Sequence, residues 1–435
     1  VASVYAGHQF GNYVPRLGDG RAILLGSIRN HAGKLWELQL KGCGRTPFSR
    51  FGDGRAVLRS TVREYLVSEA MHGLGIPTTR ALSIVGSSEP VMRETRETAA
   101  VLCRLAPSHV RFGSFEYFRR SGQNEALAPL ADHVIELHYP ELANRPDRYG
   151  AWLEAVIDKT ARLMAAWQAV GFVHGVMNTD NFSVLGLTMD YGPFAFFDHF
   201  DPQQIFNHTD AGGRYTWARQ PQVGYWNVAR LLEACLPLLG DAPEADTNAG
   251  TDADKKPDPR LDTANALLER YPDACNNALN HRWHEKLGLL EQHEDDDALI
   301  QRWLQLLADA RADFSRSFRG LSQVAADGTE APPIRDEIVN PEAFDAWLTD
   351  YRSRLRGQAE DDATRRQRMD NANPRFILRT HLAQAAIGRA KAGDYGEIEK
   401  LRRILAHPFD EQPEHAAYAD PPPPDAGPIG LSCSS

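Results

Sequence analysis

Short apolar runs alternate with glycine-containing turns along the first hundred residues, a pattern that predicts a small antiparallel sheet. Between the second and third runs, Leu58, Val62 and Leu66 recur at the spacing of one helix face. That spacing predicts a helix over 56–75, with Gly73 in its stop signal. The predicted strands are RAILLGSI (21–28), LWELQL (35–40), ALSIVG (81–86) and AAVLCRLA (99–106).

Beyond about residue 115 the apolar positions recur every three or four residues, which predicts helices. The segment 241–265 is polar, acidic and Pro-containing, so we expect a disordered insertion there. The segment 411–435, with its DPPPPDAGPIG run, predicts a flexible tail. The predicted helices cover 152–172, 223–240, 279–294, 296–320, 341–357 and 376–392.

These elements predict the α+β class, with a small strand-rich lobe and a larger, mainly helical lobe. We assign 1–115 to the small lobe, 116–240 to the core of the large lobe and 266–410 to a helical extension of it. The length of 435 residues suits more than one domain. The chain opens at Val1 inside sequence typical of a folded region, so we expect further small-lobe residues upstream.

Charge is unevenly distributed along the chain. The formal net charge is −10, yet residues 1–120 carry 17 Lys and Arg against 9 Asp and Glu. A basic first part favours an anionic ligand. The arginines lie among glycines and strand-like runs rather than in a nucleic-acid-binding module, so phosphate groups are favoured over nucleic acid.

Neither a membrane segment nor a cysteine-based site is predicted. No apolar run is long enough to cross a bilayer and the start does not resemble a signal peptide, so we expect a cytoplasmic protein without membrane contact. The five cysteines are scattered without Cys-x-x-Cys spacing. That distribution indicates neither a zinc site nor a disulfide framework.

The segment HGVMNTDNF (174–182) is similar to the catalytic loop of kinases, His-x-Asp-x-x-x-x-Asn. His174 and Asn181 keep the spacing, but Val176 stands where the catalytic Asp belongs, and an aliphatic side chain cannot accept a proton. An acid is present as Asp180, directly before Asn181. The loop is therefore that of an inactive kinase, a coincidental match, or an enzyme with different chemistry.

Other kinase components occur in the expected order. RLGDGRA places Gly18 and Gly20 in a turn whose backbone can approach an anion, with Arg21 directly after it. Lys41 closes a predicted strand and Glu64 lies on the following helix, as in the ion pair that holds ATP phosphates. Taken singly, a hairpin turn or a surface ion pair would give the same pattern; the shared order favours the site.

A metal-ligand pair follows the loop. Nine residues after Asn181 comes Asp190, in a variant of the kinase Asp-Phe-Gly element, with VLGLTM predicted as a strand between the two. Amide and carboxylate oxygens suit Mg²⁺, and Mn²⁺ fits the same ligands. An ordinary hairpin with polar ends is the alternative. Arg104 and Arg111 lie where a kinase joins its lobes. If they contact phosphate, the nucleotide must bind in a different position from that in ordinary kinases.

Much of the chain resembles the selenoprotein O family, kinase-like protein adenylyltransferases once classed as pseudokinases. The resemblance spans nearly the whole chain and leaves out only the acidic insertion. It is carried by YAGHQFGNYVPRLGDGRA, ELQLKGCGRTPFSRFGDGRAVLRSTVREYLVSEAMHGLGIPTTRAL, HGVMNTDNFSVLGLTMDYGPF, FDP and NHTDAGGRY.

The resemblance implies that ATP binds in the reverse direction and that AMP passes to Ser, Thr or Tyr hydroxyls of proteins, with release of pyrophosphate. Asp180 is implied as the general base, and Asn181 with Asp190 as the metal ligands. The residues implied to bind ATP are Gly18, Gly20, Arg21, Lys41, Asp53, Gly54, Arg104, Arg111 and Asp190, with Glu64 positioning Lys41.

One feature departs from the family. Its members often end in a tail with cysteine or selenocysteine that some pair with a cysteine near the NHTD motif. This chain keeps Cys433, but QQIFNHTD contains no cysteine. We therefore interpret Cys433 as a free, exposed thiol.

Two other functions are compatible with these motifs. An ordinary phosphotransferase would share the His-to-Asn spacing, but Val176 argues against it. A nucleotide-binding scaffold without catalysis would not need both metal ligands and the adjacent Asp180. The sequence leaves open the protein substrates and the oligomeric state.

Overall fold

The strand-rich part is an antiparallel sheet preceded by a short hairpin. A computed structural model describes residues 1–17, 21–49, 52–240, 258–423 and 430–431. In the sheet, β7 pairs with β4 and β5 on one side and with β6 on the other, and β3 pairs with β4. The strands are β1 (Gly7–Gln9), β2 (Asn12–Val14), β3 (Ala22–Arg29), β4 (Leu35–Lys41), β5 (Ala56–Val57), β6 (Arg80–Met92), β7 (Arg96–Ala106), β8 (Phe172–Val173) and β9 (Ala195–Phe196).

The four predicted strands are confirmed, although β6 and β7 are longer than their apolar runs. Register places the functional residues: Gln39 of β4 lies opposite Arg104 of β7, and Lys41 lies opposite Leu102. Residues opposite one another share a face, as do residues two apart on one strand. Gln39, Lys41 and Arg104 therefore project from one face of the sheet.

The rest of the chain is mainly helical, as predicted. Several predicted helices are confirmed with shifted ends, and α2, α3, α6, α11 and α13 were not predicted individually. The helices are α1 (Leu58–Gly73), α2 (Phe112–Arg120), α3 (Leu127–His138), α4 (Arg148–Ala169), α5 (Gln220–Cys235), α6 (Pro259–Leu268), α7 (Arg270–Leu287), α8 (Asp296–Ala310), α9 (Phe314–Leu321), α10 (Pro341–Arg356), α11 (Asp362–Ala372), α12 (Thr380–Lys391) and α13 (Gly396–Leu405).

Two predicted elements are wrong. The single helix predicted over 296–320 is two helices, because Arg311 adopts a left-handed φ of 48° and Asp313 caps the second helix through the backbone N–H of Arg316. The strand predicted for VLGLTM (184–189) is instead a turn with isolated bridges. Gly186 turns the backbone there at a φ of 67°, and its packing against Lys159 leaves no room for a Cβ.

The predicted disordered segment extends too far. Residues 241–257 lie outside the described residues, but Asp258 accepts a hydrogen bond from the backbone N–H of Arg260 and caps α6, which begins at Pro259. Residues 259–265 of the predicted segment are thus regular helix. Within the predicted flexible tail, Pro413–Ala419 forms a 3₁₀ helix, and Leu431 is buried beside Asn207. Cys433 lies outside the described residues.

Two hydrophobic cores organise the helices. The first joins α1, α4, α5, α12 and α13, and the second is built mainly from α7, α8, α9 and α10. The C-terminal helices α12 and α13 pack on α1 of the strand-rich part and on each other. In the part of the chain that the structure describes, no helix is long and apolar enough to cross a membrane.

Replacing Gly73 by alanine tests the packing of α1 on α13. A Cβ at Gly73 would lie 2.1 Å from the carbonyl oxygen of Leu405, so the two backbones would have to separate. We expect Gly73→Ala to lower the free energy of unfolding by about 1–3 kcal/mol, seen as a lower midpoint of thermal unfolding. As control, Gly150→Ala in α4 adds a Cβ that meets no atom within 4 Å and keeps or raises the midpoint. An unchanged midpoint for Gly73→Ala would contradict this packing.

Lys286 gives stability a testable pH dependence. Its buried ammonium donates to Asn373 Oδ1 at 2.7 Å and lies 4.2 Å from the ring centroid of Phe318. Burial, reinforced by Arg282, lowers the pKa of Lys286 from 10.5 to about 7. Between these pH values the unfolded chain binds the proton and the folded chain does not, so raising the pH favours folding.

We therefore expect the stability of the wild type relative to Lys286→Met to rise from pH 7 to pH 9. The slope is at most about 1.4 kcal/mol per pH unit, and urea unfolding of both proteins measures it. Groups that titrate in both proteins cancel in the difference. A difference that stays constant over this range would refute the lowered pKa.

Candidate active site

A cavity of about 560 Å³ lies between the sheet and the loop 174–182, within the size range of small-molecule sites. The strand-rich part and the helical part both line it, so the site exists only when the two are packed together. Of the predicted site residues, those that line the cavity are Arg21, Lys41, Asp53, Gly54, Glu64, Asp180, Asn181 and Asp190. Gly18 and Gly20 lie outside the described residues.

Asp190 is the centre of the site's charged groups. Lys41 Nζ lies 3.0 Å from Asp190 Oδ1 and 2.7 Å from Glu64 Oε2. The guanidinium of Arg104 contacts the same Oδ1, and that of Arg111 contacts Oδ2. One carboxylate thus joins β4, β7 and the residue that precedes α2.

Arg104 is held by more than its charge. It is 1% exposed, donates to Glu64 Oε1 at 3.1 Å and to the Tyr5 hydroxyl at 3.2 Å, and also donates to Gln39. A planar guanidinium suits several acceptors at fixed angles, whereas an ammonium does not. The position therefore requires arginine.

Burial and charge act in opposite directions on Asp190. Burial by itself would raise its pKa, but Arg104, Arg111 and Lys41 hold the pKa well below the ordinary value for Asp. The carboxylate is therefore ionised at neutral pH. Asp190 also adopts a φ of 55°, which is uncommon for a residue other than glycine and is typical of positions under functional constraint.

The loop 174–182 begins with a buried, packed residue, and its later residues face the cavity. His174 is fully buried, lies 3.0 Å through Nε2 from the carbonyl of Met189 and stacks on Trp167. Burial lowers its pKa, so the ring is neutral and packs rather than reacts. Val176 lines the cavity at the position of the missing acid, and Asp180 lines it as the available one.

The side chains of Asn181 and Asp190 could hold a hard divalent cation. The Asn181 amide donates from Nδ2 to the carbonyl of Val176 at 2.9 Å, which fixes the orientation of the amide and leaves Oδ1 as its acceptor atom. Asp190 supplies carboxylate oxygens at the same cavity. In the described ranges no group of three or more His, Cys, Asp or Glu side chains could hold a metal. Two oxygen ligands suit Mg²⁺, which is usually bound by few protein groups together with substrate phosphates.

Asp53 and Gly54 shape the opposite wall. Asp53 receives two hydrogen bonds from Arg93, at 2.8 and 2.9 Å, and its pKa is lowered to about 2, chiefly by that contact. Gly54 has a φ of 68° and lies so close to Gly44 that a Cβ would overlap the Gly44 backbone. Asp53 therefore holds Arg93 at the cavity, and Gly54 permits the turn that places it there.

Sequence reasoning missed several residues of the site. Tyr5 and Gln39 accept hydrogen bonds from Arg104, and Arg93 donates to Asp53. Asn178 lines the cavity. Arg93 lies beyond the end of β6 in no recognisable motif. Tyr5 belongs to the YAGHQFGN segment, whose unusual composition was the available signal.

Comparisons with known proteins match the chain over most of its length. The family model described as "Protein adenylyltransferase SelO" matches residues 1–406. The protein nucleotidyltransferase YdiU of Methylococcus capsulatus is 54% identical over 437 aligned positions, which span 100% of this chain and 84% of that protein. Proteins of the same name from Thioalkalivibrio sulfidiphilus and Myxococcus xanthus are 53% and 52% identical over 435 positions, spanning 100% of this chain and 85% of each.

Replacing Arg104 by lysine tests whether the several hydrogen bonds of its guanidinium are needed. One ammonium cannot also satisfy the buried Gln39 and Tyr5 acceptors, so we expect Arg104→Lys to lower the free energy of unfolding by about 1–3 kcal/mol. The control is Arg145→Lys, where the replaced side chain is 51% exposed and pairs with an exposed Asp147. We expect no measurable change there. Equal thermal midpoints for both variants would show that charge alone is needed at position 104.

Proposed function

This chain belongs to the protein adenylyltransferase SelO family, and from that premise we propose its reaction and the roles of its site residues. It is a protein adenylyltransferase, and its substrates are ATP and proteins. We propose that AMP passes to the hydroxyl of Ser, Thr or Tyr and that pyrophosphate leaves. We further propose a two-lobed, kinase-like arrangement, in which α1 acts as the helix that carries the glutamate partner of the phosphate-binding lysine. The bond between Lys41 and Glu64 supports that assignment.

The position of the buried arginines supports a reversed ATP. Arg104 lies near the end of β7 and Arg111 directly before α2, on the segment that joins the strand-rich part to the helices. In an ordinary kinase this end of the cleft accepts adenine. Two buried guanidinium groups favour phosphate oxygens over an uncharged base. The β- and γ-phosphates would then bind deep in the cleft with Lys41, Arg104 and Arg111, and Arg21, Asp53 and Gly54 would line the nucleotide site with Gly18 and Gly20.

That direction presents the α-phosphate to the acceptor. Asp180 takes the proton from the acceptor hydroxyl as its oxygen forms a bond to the α-phosphorus. The bond from that phosphorus to the oxygen of the β-phosphate breaks, and pyrophosphate leaves with the electron pair. Lys41, Arg104 and Arg111 stabilise the negative charge that develops on pyrophosphate.

Asn181 and Asp190 would hold the divalent cation, with Mg²⁺ favoured and Mn²⁺ compatible. A bound cation neutralises phosphate charge and fixes the phosphates for attack. Asp190 contacts all three cationic side chains in this structure. If bound phosphates attract these three side chains, the carboxylate oxygens of Asp190 become available to the metal. The three cationic side chains would thus pair with Asp190 before ATP binds and with phosphate afterwards.

The alternatives are a phosphotransferase and a scaffold. A phosphotransferase needs a base where Val176 lies, and this side chain faces the cavity without an ionisable group. A scaffold would not require an acid beside the metal ligands. The single observation that favours adenylyl transfer over both is the pair of buried arginines at the junction, together with Asp180 on the cavity wall.

Label transfer tests the reaction. The protein is incubated with Mg²⁺ and a mixture of proteins, once with ATP labelled at the α-phosphate and once with ATP labelled at the γ-phosphate. We expect covalent label from the α position alone, because the acceptor attacks the α-phosphorus. Label from the γ position alone would restore the phosphotransferase. No label from either position would leave the scaffold.

Asp180→Asn tests the role of the base in the same assay. The amide keeps the shape and cannot accept the proton, so we expect transfer to fall by about 10²–10⁴-fold while ATP still binds. Asp147→Asn, which changes an exposed acid outside the cavity, serves as the control and retains full transfer. Unchanged transfer by Asp180→Asn would exclude it as the base.

A further inference from the structure

The hairpin of β1 and β2 lies against the catalytic loop together with α2. The backbone N–H of His8 donates to Thr179 Oγ1 at 2.7 Å, and that of Phe10 donates to Asn178 Oδ1 at 3.2 Å. Phe10 adopts a φ of 49°, a conformation that a bulky residue adopts only under constraint. The segment YAGHQFGN, to which no role was given from sequence, thus supports the loop that carries Asp180.

Glu116 of α2 connects the two sides. Its carboxylate accepts a hydrogen bond from the Thr179 hydroxyl through Oε2 and is hydrogen-bonded to His8 Nδ1 through Oε1. Glu116 is 2% exposed and Thr179 is fully buried. A buried carboxylate is retained only where its oxygens are satisfied, so both contacts are needed to keep Glu116 there.

The backbone of Asp180 is enclosed between two glycines from different elements. A Cβ at Gly7 of β1 would lie 2.4 Å from Thr179 Oγ1 and 3.0 Å from the Asp180 nitrogen. A Cβ at Gly113 of α2 would lie 3.3 Å from the Asp180 Cα. Arg111 completes the enclosure by donating to the Asp180 carbonyl at 2.7 Å. The backbone of this acid is therefore held from three sides.

We propose that Glu116 is a positioning residue for adenylyl transfer, which acts through the hydroxyl of Thr179 to hold Asp180 at the acceptor side of the cavity. This inference rests on the proposed role of Asp180. Glu116 itself does not line the cavity, so we assign it no contact with ATP or the acceptor. Its loss would displace the base without removing any of the proposed phosphate contacts.

Thr179→Val and Thr179→Ser separate positioning from packing. Valine keeps the shape of threonine but lacks the hydroxyl, whereas serine keeps the hydroxyl. We expect Thr179→Val to lower kcat by about 10–100-fold, as a small displacement of a catalytic group does, with the Kd of ATP and the KM for ATP within about twofold of the wild type. Thr179→Ser should retain most of kcat. Glu116→Gln should also lower kcat, because the amide cannot accept at both of its ends.

Thr160→Val is the matched control. Thr160 is a buried threonine of α4 whose hydroxyl donates to the Val156 carbonyl at 2.8 Å, outside the cavity. We expect it to leave kcat unchanged and to lower thermal stability less than Thr179→Val, because no buried carboxylate loses a partner. All rates are referred to the folded fraction at the assay temperature, which the thermal unfolding curve of each variant gives.

Each outcome distinguishes this inference from the proposed function. Wild-type protein that transfers no α-label would overturn the proposed function first. If the wild type transfers AMP, an unchanged kcat for Thr179→Val and Glu116→Gln would overturn the positioning role alone. An equal loss for valine and serine, or a loss matched by weaker ATP binding, would assign Thr179 to packing. If Thr179→Val does not fold, the kcat of Glu116→Gln is compared with that of Thr179→Ser to distinguish the same outcomes.

Discussion

The ion cluster around Asp190 is the constraint on which the rest of the structure depends. One carboxylate accepts Lys41 from β4, Arg104 from β7 and Arg111 from the residue before α2, while Glu64 of α1 shares two of these cations. Removing one member of such a buried cluster leaves charges uncompensated, at a cost of about 3–5 kcal/mol. The sheet, α1 and the segment that carries Asp190 must therefore pack in one arrangement, which also forms the cavity.

The surrounding helices make that arrangement rigid. The C-terminal helices α12 and α13 pack on α1, with Gly73 against Leu405, so the helix that carries Glu64 is held by these helices as well as by the sheet. On the other side, α2 and the β1–β2 hairpin enclose the loop that carries Asp180. A group-transfer site needs its reacting groups held within a small distance of the productive geometry. Here the supports come from segments far apart in the chain.

The placement of charge also supports our proposal for the bond of ATP that is attacked. Kinase-like parts can serve either phosphoryl or adenylyl transfer, because both need a cation site, a base and phosphate contacts. Val176 lies where the first reaction would need its base, and Asp180 is the base that we propose for the second. The buried guanidinium groups at the junction are consistent with the reversed nucleotide that the second reaction requires. Function therefore follows from side chains placed on a shared arrangement rather than from the arrangement alone.

The sequence alone predicts the four main sheet strands, several of the helices and most of the residues proposed for the site, since strand and helix periods and the spacings of Lys41, Asn181 and Asp190 are local properties of the chain. It did not determine how these parts meet. Arg104 and Arg111 lie 86 and 79 residues from Asp190, and Glu116 lies 63 residues from Thr179. The segment 184–189 is a turn, but it has the apolar pattern of a strand because its side chains are buried. Periodicity alone cannot distinguish burial in a turn from burial in a paired strand. Only tertiary packing decides such contacts, because burial and charge compensation act between residues that no local pattern relates.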